Sequence, residues 1–280
     1  MKRVIIFLSM IGSLNIQSQE LNVMTFNIRY NTKNDSLNAW PYRKDKAASQ
    51  ILFHNVHILG VQEALHDQVM DLEKSLAHYK YTGVGRDDGK AKGEYSAIFY
   101  DSTRCKLLES ETFWLSLTPE VPGSKSWDAA ITRIVTWAKF RDLKNKKLFF
   151  VFNTHFDHIG KEARRESAML LKQKVKEIAG SEPVIITGDF NAKRSDEPIK
   201  IVVDTNDTNH FTDTQTISQT PHYGPTGTFN AFGSKERDND PIDYIFIKGK
   251  WNVLQHATLS QTWEGRFSSD HFPVFAKISF

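Results

Sequence analysis

Short apolar segments separated by turn residues dominate this chain, and they limit the folds open to it. They are LNVMTFNI, VHILGVQE, YKYTGVG, YSAIFYD, CKLLESETFWLS, ITRIVTWAKFRD, KLFFVFNTHF, PVIITGDFN, DYIFIKG, WNVLQHATLS and FPVFAKISF. Several alternate apolar and polar residues, the period of a half-buried antiparallel strand. VIITG, residues 184–188, is apolar almost throughout and predicts a strand covered on both faces. Helical patterns fit between some strands, around residues 43–53, 66–76 and 161–179. In the last of these, Ala168, Leu171, Val175 and Ile178 recur at helical spacing with charges between them, as on a surface helix. Strands outnumber helices, and the helices fall early in each half. That order predicts an α/β sandwich of two stacked mixed sheets with helices outside, and it does not suit a regular doubly wound sheet.

Nothing divides the 280 residues into separate units: there is no repeat of solenoid period and no Pro/Gly/Ser linker. A single catalytic-sized domain over residues 19–280 is therefore expected. At the start, Lys2 and Arg3 precede the apolar run VIIFLSMIGSL, followed by Gln17, Ser18 and Gln19. This is the pattern of a secretory signal over residues 1–18, which predicts export to a periplasm or the exterior. A first core strand is the competing reading of that run. The run is too short to span a bilayer, so no stable membrane insertion is expected. Cys105 is the sole cysteine, which excludes an internal disulfide and leaves no thiol near the cleavage site for a lipid. The formal charge of +3 falls to about +1 once Lys2 and Arg3 leave with the signal. That is a weak footprint for a protein gripping a long duplex, which needs a basic stripe against the phosphates. A monomer is expected.

The strand ends carry the chemistry. VMTFNIRY leaves its apolar run at Asn27, ILGVQEA at Gln62 and Glu63, and FFVFNTHFDH at Asn153, His155, Asp157 and His158. PVIITGDFNA ends in Asp189 and Asn191, PIDYIFI begins with Asp243, and SSDHFPVFAKI begins with Asp270 and His271. Singly, each is an ordinary turn residue. Together they place acids, amides and imidazoles at six points where strands leave a core, and a desolvated carboxylate or imidazole is costly unless paired or bound to a metal.

In this order TFNIRY, GVQE, NTHFDH, GDFNA, IDYIFI and SDHFPV resemble the successive signature segments of the endonuclease/exonuclease/phosphatase superfamily. The resemblance runs from about Leu21 to Phe280. It implies a four-layer fold, two face-to-face sheets flanked by helices, with the site at one rim. It also implies that residues matching Asn27 and Glu63 hold a divalent ion, with Asp270 assisting. Oxygen donors of this kind suit Mg²⁺ or Mn²⁺, and a phosphate-ester substrate follows.

Asp189 is then the general base for an attacking water. Asn191, two residues on and on the same side of an extended chain, donates to a phosphate oxygen or orients that water without adding negative charge. The family parallel has His271 facing the non-bridging oxygens with Asp243 holding its tautomer and charge. His155 resembles a second histidine of the pancreatic deoxyribonuclease branch, an acid for the leaving oxygen, with Glu94 as its carboxylate partner.

Other residues keep two readings. Arg133 contacts phosphate or faces outward from its strand. Asp157 and His158 line the pocket or cap a loop. Trp127, Phe229 and Phe232 stack on substrate or anchor their loops. The expected function is hydrolysis of a phosphodiester, as by a nuclease or nucleotide phosphodiesterase; the alternatives are a phosphatase or sphingomyelinase-like hydrolase of a small or lipid phosphoester, and a binding module without catalysis. The full set of base, metal and phosphate groups in one chain disfavours the last. The small mature charge leans toward a small or single-stranded substrate.

Overall fold

Period-two alternation along the strands separates three apolar layers, and the polar rim follows from where that alternation runs out. The structure, a computed structural model, describes residues 20–233 and 239–280; the expected signal segment, residues 1–18, lies outside the described residues. In chain order the strands are β1 (Glu20–Asn27), β2 (Ile58–Gln62), β3 (Tyr79–Thr82), β4 (Ile98–Asp101), β5 (Cys105–Trp114) and β6 (Ile134–Asp142). They continue as β7 (Leu148–His155), β8 (Val184–Asp189), β9 (Thr212–Asp213), β10 (Asp243–Lys248), β11 (Asn252–Thr258) and β12 (Val274–Ser279). The α-helices are α1 (Lys44–Phe53), α2 (His66–Ser75), α3 (Lys161–Ala179) and α4 (Glu197–Val203), with two short 3-10 segments before α1.

The strands form two six-stranded sheets, ordered β11-β12-β1-β2-β4-β3 and β5-β6-β7-β8-β10-β9. Each has one parallel pair among antiparallel neighbours, β1 with β2 and β7 with β8. A parallel pair needs a crossover, which here carries α1 in the first sheet and α3 in the second. Leu21, Val23, Ile58, Val151, Ile185, Ile245 and Ile278 fill the space between the sheets. Met24, Phe26, Leu59 and Val61 turn the other way, onto Ala47 and Ile51 of α1 and Val69 and Leu72 of α2. Phe150, Phe152, Ile186 and Phe246 do the same against Ala168, Leu171 and Val175 of α3 and Ile199 and Val202 of α4. The expected four-layer α/β sandwich is thus the observed one. The helices anticipated at 43–53, 66–76 and 161–179 form within a residue of those limits. The short α4 and the two-residue β9 had no legible pattern, because neither is long enough to show a period.

Along the inner faces of the central strands, composition changes from apolar to polar in step. On β1 the inward series is Leu21, Val23, Thr25, Asn27; on β7 it is Val151, Asn153, His155; on β8 it is Ile185, Thr187, Asp189. Register places His155 beside Asp189, and Asp189 beside Asp243, across three neighbouring strands. One residue beneath this rim lies a sealed polar layer. Gln62 Nε2 donates to Thr25 Oγ1 at 3.0 Å and Asn153 Oδ1 at 2.6 Å. Thr187 Oγ1 donates to the same Asn153 oxygen at 3.0 Å, and Asn153 Nδ2 donates to the carbonyls of Val61 and Ala97. Gln62 and Asn153, which the sequence groups with the rim residues, therefore serve as its floor.

Gly60 makes room for that floor, since a Cβ there would stand 2.1 Å from Thr187 Oγ1 and 2.5 Å from Asn153 Oδ1. Gly60→Ala is expected to displace the network and lower stability by about 1–3 kcal/mol, the usual cost of overpacking. Thermal and urea denaturation check this; an unchanged midpoint would show that the floor yields freely.

Candidate active site

A cavity of about 450 Å³ opens where the polar ends of both sheets meet, with Glu63, Glu94, Arg133, His155, His158, Asp189, Asn191, Phe229, Asp270 and His271 in its wall. At its base Asp189 leaves β8 and the chain turns sharply. The backbone N–H of Asn191 donates to Asp189 Oδ1 at 2.9 Å, and Asn191 itself takes a left-handed conformation, φ 46°. Asn tolerates that region better than most residues. Asp189 Oδ2 accepts from Asn27 Nδ2 at 3.0 Å and lies 3.5 Å from His155 Nε2 and 3.8 Å from His271 Nε2. Burial, and then the charge of Asp243, raise Asp189 to about 7.

The amide of Asn191 is already committed. Its Nδ2 donates to the Phe156 carbonyl at 3.0 Å and stands 3.0 Å from His155 Nε2. A carbonyl only accepts, so the amide orientation is determined, and His155 Nε2 must accept as well. Here the Asn191 side chain holds His155 and its backbone N–H braces Asp189, while the residue keeps its expected place in the cavity wall. The proton of His155 consequently lies on Nδ1, 4.0 Å from Glu94 Oε2. Burial, then Arg133 and Arg86, push His155 well below the usual histidine range. In this state the neutral ring presents a lone pair at Nε2, whereas the acid role expected of His155 needs a proton there.

His271 is the opposite case. Its Nδ1 is 2.9 Å from Asp243 Oδ2. Burial alone would lower its pKa, but the charge and hydrogen bond of Asp243 outweigh that and raise it well above the usual value. The ring is an imidazolium with its Nε2 proton toward Asp189. The Asp243–His271 pairing is the one expected. Phe229 lies edge-on to the ring at 5.0 Å between centroids.

Opposite this pair are the oxygen donors. Glu63, itself left-handed at φ 62°, accepts from Asn27 Nδ2 at 3.1 Å and from the Tyr30 N–H at 3.2 Å. Arg29, which sequence reasoning passed over, stands 3.9 Å from Glu63 and 3.8 Å from Asp270, while its close bonds at 3.0 and 3.2 Å go to Asp35. Burial raises the Asp270 carboxyl, and the charge of Glu63 adds to this. Two hard carboxylates that repel each other beside an open cavity fit a divalent cation. Asn27 fits less directly: its Oδ1 accepts the Arg29 N–H at 3.0 Å and its nitrogen faces Glu63, so its expected place as a ligand requires the amide to rotate. A second set of ligand-type atoms, from Asp189, Asp243 and His271, lies within 4.8 Å of one another. There His271 Nδ1 is spent on Asp243 and the ring is cationic, which disfavours a metal.

The remaining candidates separate clearly. Arg133 is buried in the cavity wall with Nη2 3.1 Å from His158 Nδ1, so the outward-facing reading fails. His158 lines the cavity. Glu94 accepts from Arg86 Nη1 at 2.6 Å, a partner not anticipated and without a motif to reveal it. Phe232 anchors its loop, 5.6 Å from the Arg43 guanidinium. Trp127 lies outside the cavity wall, half-buried beside Asp128, whose carboxylate accepts the Ala163 N–H at 2.7 Å. Asp157 is a loop cap: its two oxygens accept the N–H groups of Ala130, Ile131, Ile159 and Gly160. Burial opposes ionisation, but these four bonds prevail and hold it at about 2.

The matches to known proteins agree with this geometry. The model of the Endonuclease/Exonuclease/phosphatase family matches residues 24–271. The chain belongs to that family, whose members are phosphoester hydrolases. It is similar to a solved family member from Bacteroides vulgatus, with 40% identity and a TM-score of 0.88 over 93% of this chain and 99% of that one. It is also similar to a solved mannosyl-6-phosphatase from Bacteroides thetaiotaomicron, at 38% identity and TM-score 0.88 over 93% and 100%. Among curated sequences, protein L388 of Acanthamoeba polyphaga mimivirus is 27% identical across 91% of this chain and 98% of its own.

Because the folded-state pKa of Asp157 is depressed, its contribution to stability is full above the unfolded carboxylate value near 4 and fades as pH falls toward 2. Asp157→Asn should therefore lower the melting temperature by several degrees at pH 7, with the gap to wild type closing between about pH 4 and pH 2. A gap independent of pH would reject the charged-cap account. Turnover should change little.

Proposed function

We propose that this protein hydrolyses a small phosphate monoester of the sugar-phosphate type, with a divalent ion and a water activated by Asp189. Of the functions the sequence left open, this is the small-phosphoester reading, taken over the nuclease or nucleotide diesterase. The observation that carries it is Arg133. Its side chain is 4% exposed in the cavity wall, and Nε and Nη1 have no hydrogen-bond partner among the described residues. Its nearest carboxylate, Asp157, is 3.7 Å away and already accepts four backbone N–H groups. A buried guanidinium in the wall of this cavity, without a close carboxylate partner, suits the extra anionic oxygen of a monoester dianion. The cavity of about 450 Å³ matches a compact ligand. Phe229 and Tyr30 in its wall offer apolar faces for a sugar ring, and the mannosyl-6-phosphatase likeness supports the same class.

Glu63 and Asp270 would hold Mg²⁺ or Mn²⁺, which when bound supplies Lewis-acid polarisation of a phosphoryl oxygen. Asp189 Oδ2 accepts the proton of the attacking water, helped by a pKa lifted toward neutrality. Nε2–H of His271 donates to a phosphoryl oxygen and carries positive charge to where negative charge develops, with Asp243 keeping that proton in place. Asn27 spans Glu63 and Asp189 and sets the spacing between the ion site and the base. The Lys2–Arg3 leader supports export.

Asp189→Asn should lower turnover by a factor of about 10² or more, the range for losing a positioned general base, while folding stays intact. Retained turnover would remove Asp189 from that role. Chelation with EDTA should abolish activity and Mg²⁺ or Mn²⁺ restore it. A substrate panel decides the class: hexose 6-phosphates are expected to exceed bis(4-nitrophenyl) phosphate and single-stranded DNA in kcat/KM, and the reverse order would favour the diesterase.

A further inference from the structure

Arg43 is a buried guanidinium with no carboxylate against it, and its donors go to backbone carbonyls from three separate segments. It sits immediately before α1 and is 2% exposed. Nε donates to Asn38 O at 2.7 Å, Nη2 to Arg29 O at 2.8 Å, and Nη1 to both Ile28 O and Ser268 O, the latter at 3.1 Å. Trp40 and Phe232 lie against the same group, with ring centroids 5.2 and 5.6 Å from its central carbon. Ile28 and Arg29 directly follow Asn27; Ser268 comes two residues before Asp270; Phe232 comes three after Phe229. Two of the three tethered segments, and the loop carrying Phe232, thus bear a residue of the candidate site.

We propose that Arg43 is a positioning residue that clamps the segment after β1 to the segment before β12, and so sets the distance from Asn27, which holds Glu63, to Asp270 on the other side of the ion site. This rests on the phosphoesterase reading only for its consequence; the clamp itself is a matter of packing. Two further bonds match the assignment: Ser269 Oγ donates to Asn27 O at 2.7 Å and joins the same two segments, and Ser268 Oγ donates to Gln50 Oε1 of α1, the helix Arg43 precedes, at 3.0 Å. Only a planar five-donor fork can serve four carbonyls lying around it; lysine has three donors on one point and no plane to stack between Trp40 and Phe232. The positive charge also faces Asp270, Asp35 and Glu63 through the protein, so it attracts the acids that it holds in place.

Arg43→Lys is the test, with Ile199→Ala, a cavity in the outer helical layer, as the control for stability loss alone. In hydrogen exchange of the metal-free proteins, Arg43→Lys should speed exchange in peptides covering residues 27–31 and 266–271 together, leaving β7 and β8 unchanged. Ile199→Ala should not produce that pattern. Calorimetric Mn²⁺ binding should weaken by about 10-fold or more, as when an outer-shell support is lost, and kcat should fall more than KM changes. If the lysine variant does not fold, wild type still decides: the two peptides, far apart in sequence, should open at one common rate. Unlinked exchange of the two peptides, or unchanged exchange in a folded Arg43→Lys, overturns the clamp. A wild type that binds no Mn²⁺ counts against the ion-site reading, and the exchange result then decides the clamp by itself.

Discussion

Charge cannot be left between two packed sheets without a partner, and that constraint organises this molecule. Burying an isolated carboxylate or imidazolium is prohibitive, so ionisable groups collect where the inter-sheet space meets water, and each has a partner. The inward series on β1, β7 and β8 therefore pass from leucine, valine and isoleucine, through threonine and asparagine, to Asn27, His155 and Asp189. The intermediate layer matters as much as the rim. Thr25, Gln62, Asn153 and Thr187 are neutral and bond to one another, so they separate the apolar core from the charged site without adding a charge of their own.

Pairing also differentiates groups that would otherwise be alike. Asp189 and Asp243 are neighbours across β8 and β10. Asp243 is bonded to the His271 imidazolium, whereas burial, and then the charge of Asp243 beside it, raise the pKa of Asp189 against the amide donors that would lower it. One carboxylate is thus tied to a cation and the other left able to accept a proton. The two histidines divide in the same way: Asp243 keeps His271 charged, while burial beside Arg133 and Arg86 keeps His155 neutral. Two identical side-chain types occupy one cavity in opposite states because their neighbours differ.

The layering was legible in sequence because it depends on period. Alternation in β1 and β7 and the unbroken run in β8 specify which faces are covered, and the polar residues ending those runs identify the rim. What one sequence could not reveal was the direction of hydrogen bonds. Asn191 has the right spacing from Asp189, but only the Phe156 carbonyl, supplied by a different strand exit, shows that its nitrogen is spent. Arg133 adjoins a strand in a way that fits either face. Arg29, Arg43 and Arg86 belong to no spacing at all, since each works through groups brought near by tertiary packing: Asp35, four carbonyls, and Glu94. Asp157 looked like a rim acid, yet the loop that wraps it absorbs both its oxygens.

A division of labour follows from which groups stand on strands and which on loops. Asp189, His155 and Asp243 lie at strand ends, with Asp189 paired to His155 on one side and to Asp243 on the other, so their mutual spacing is set by register. Arg133, His158, Tyr30 and Phe229 stand in connecting segments, where insertions and side-chain changes disturb no ladder. Chemistry at phosphorus is therefore built into the sandwich, and the group attached to that phosphorus is chosen by loops around it. A fold arranged this way can change substrate while keeping its reaction. In the monoester reading proposed for this chain, that choice rests on a loop residue, the buried guanidinium of Arg133.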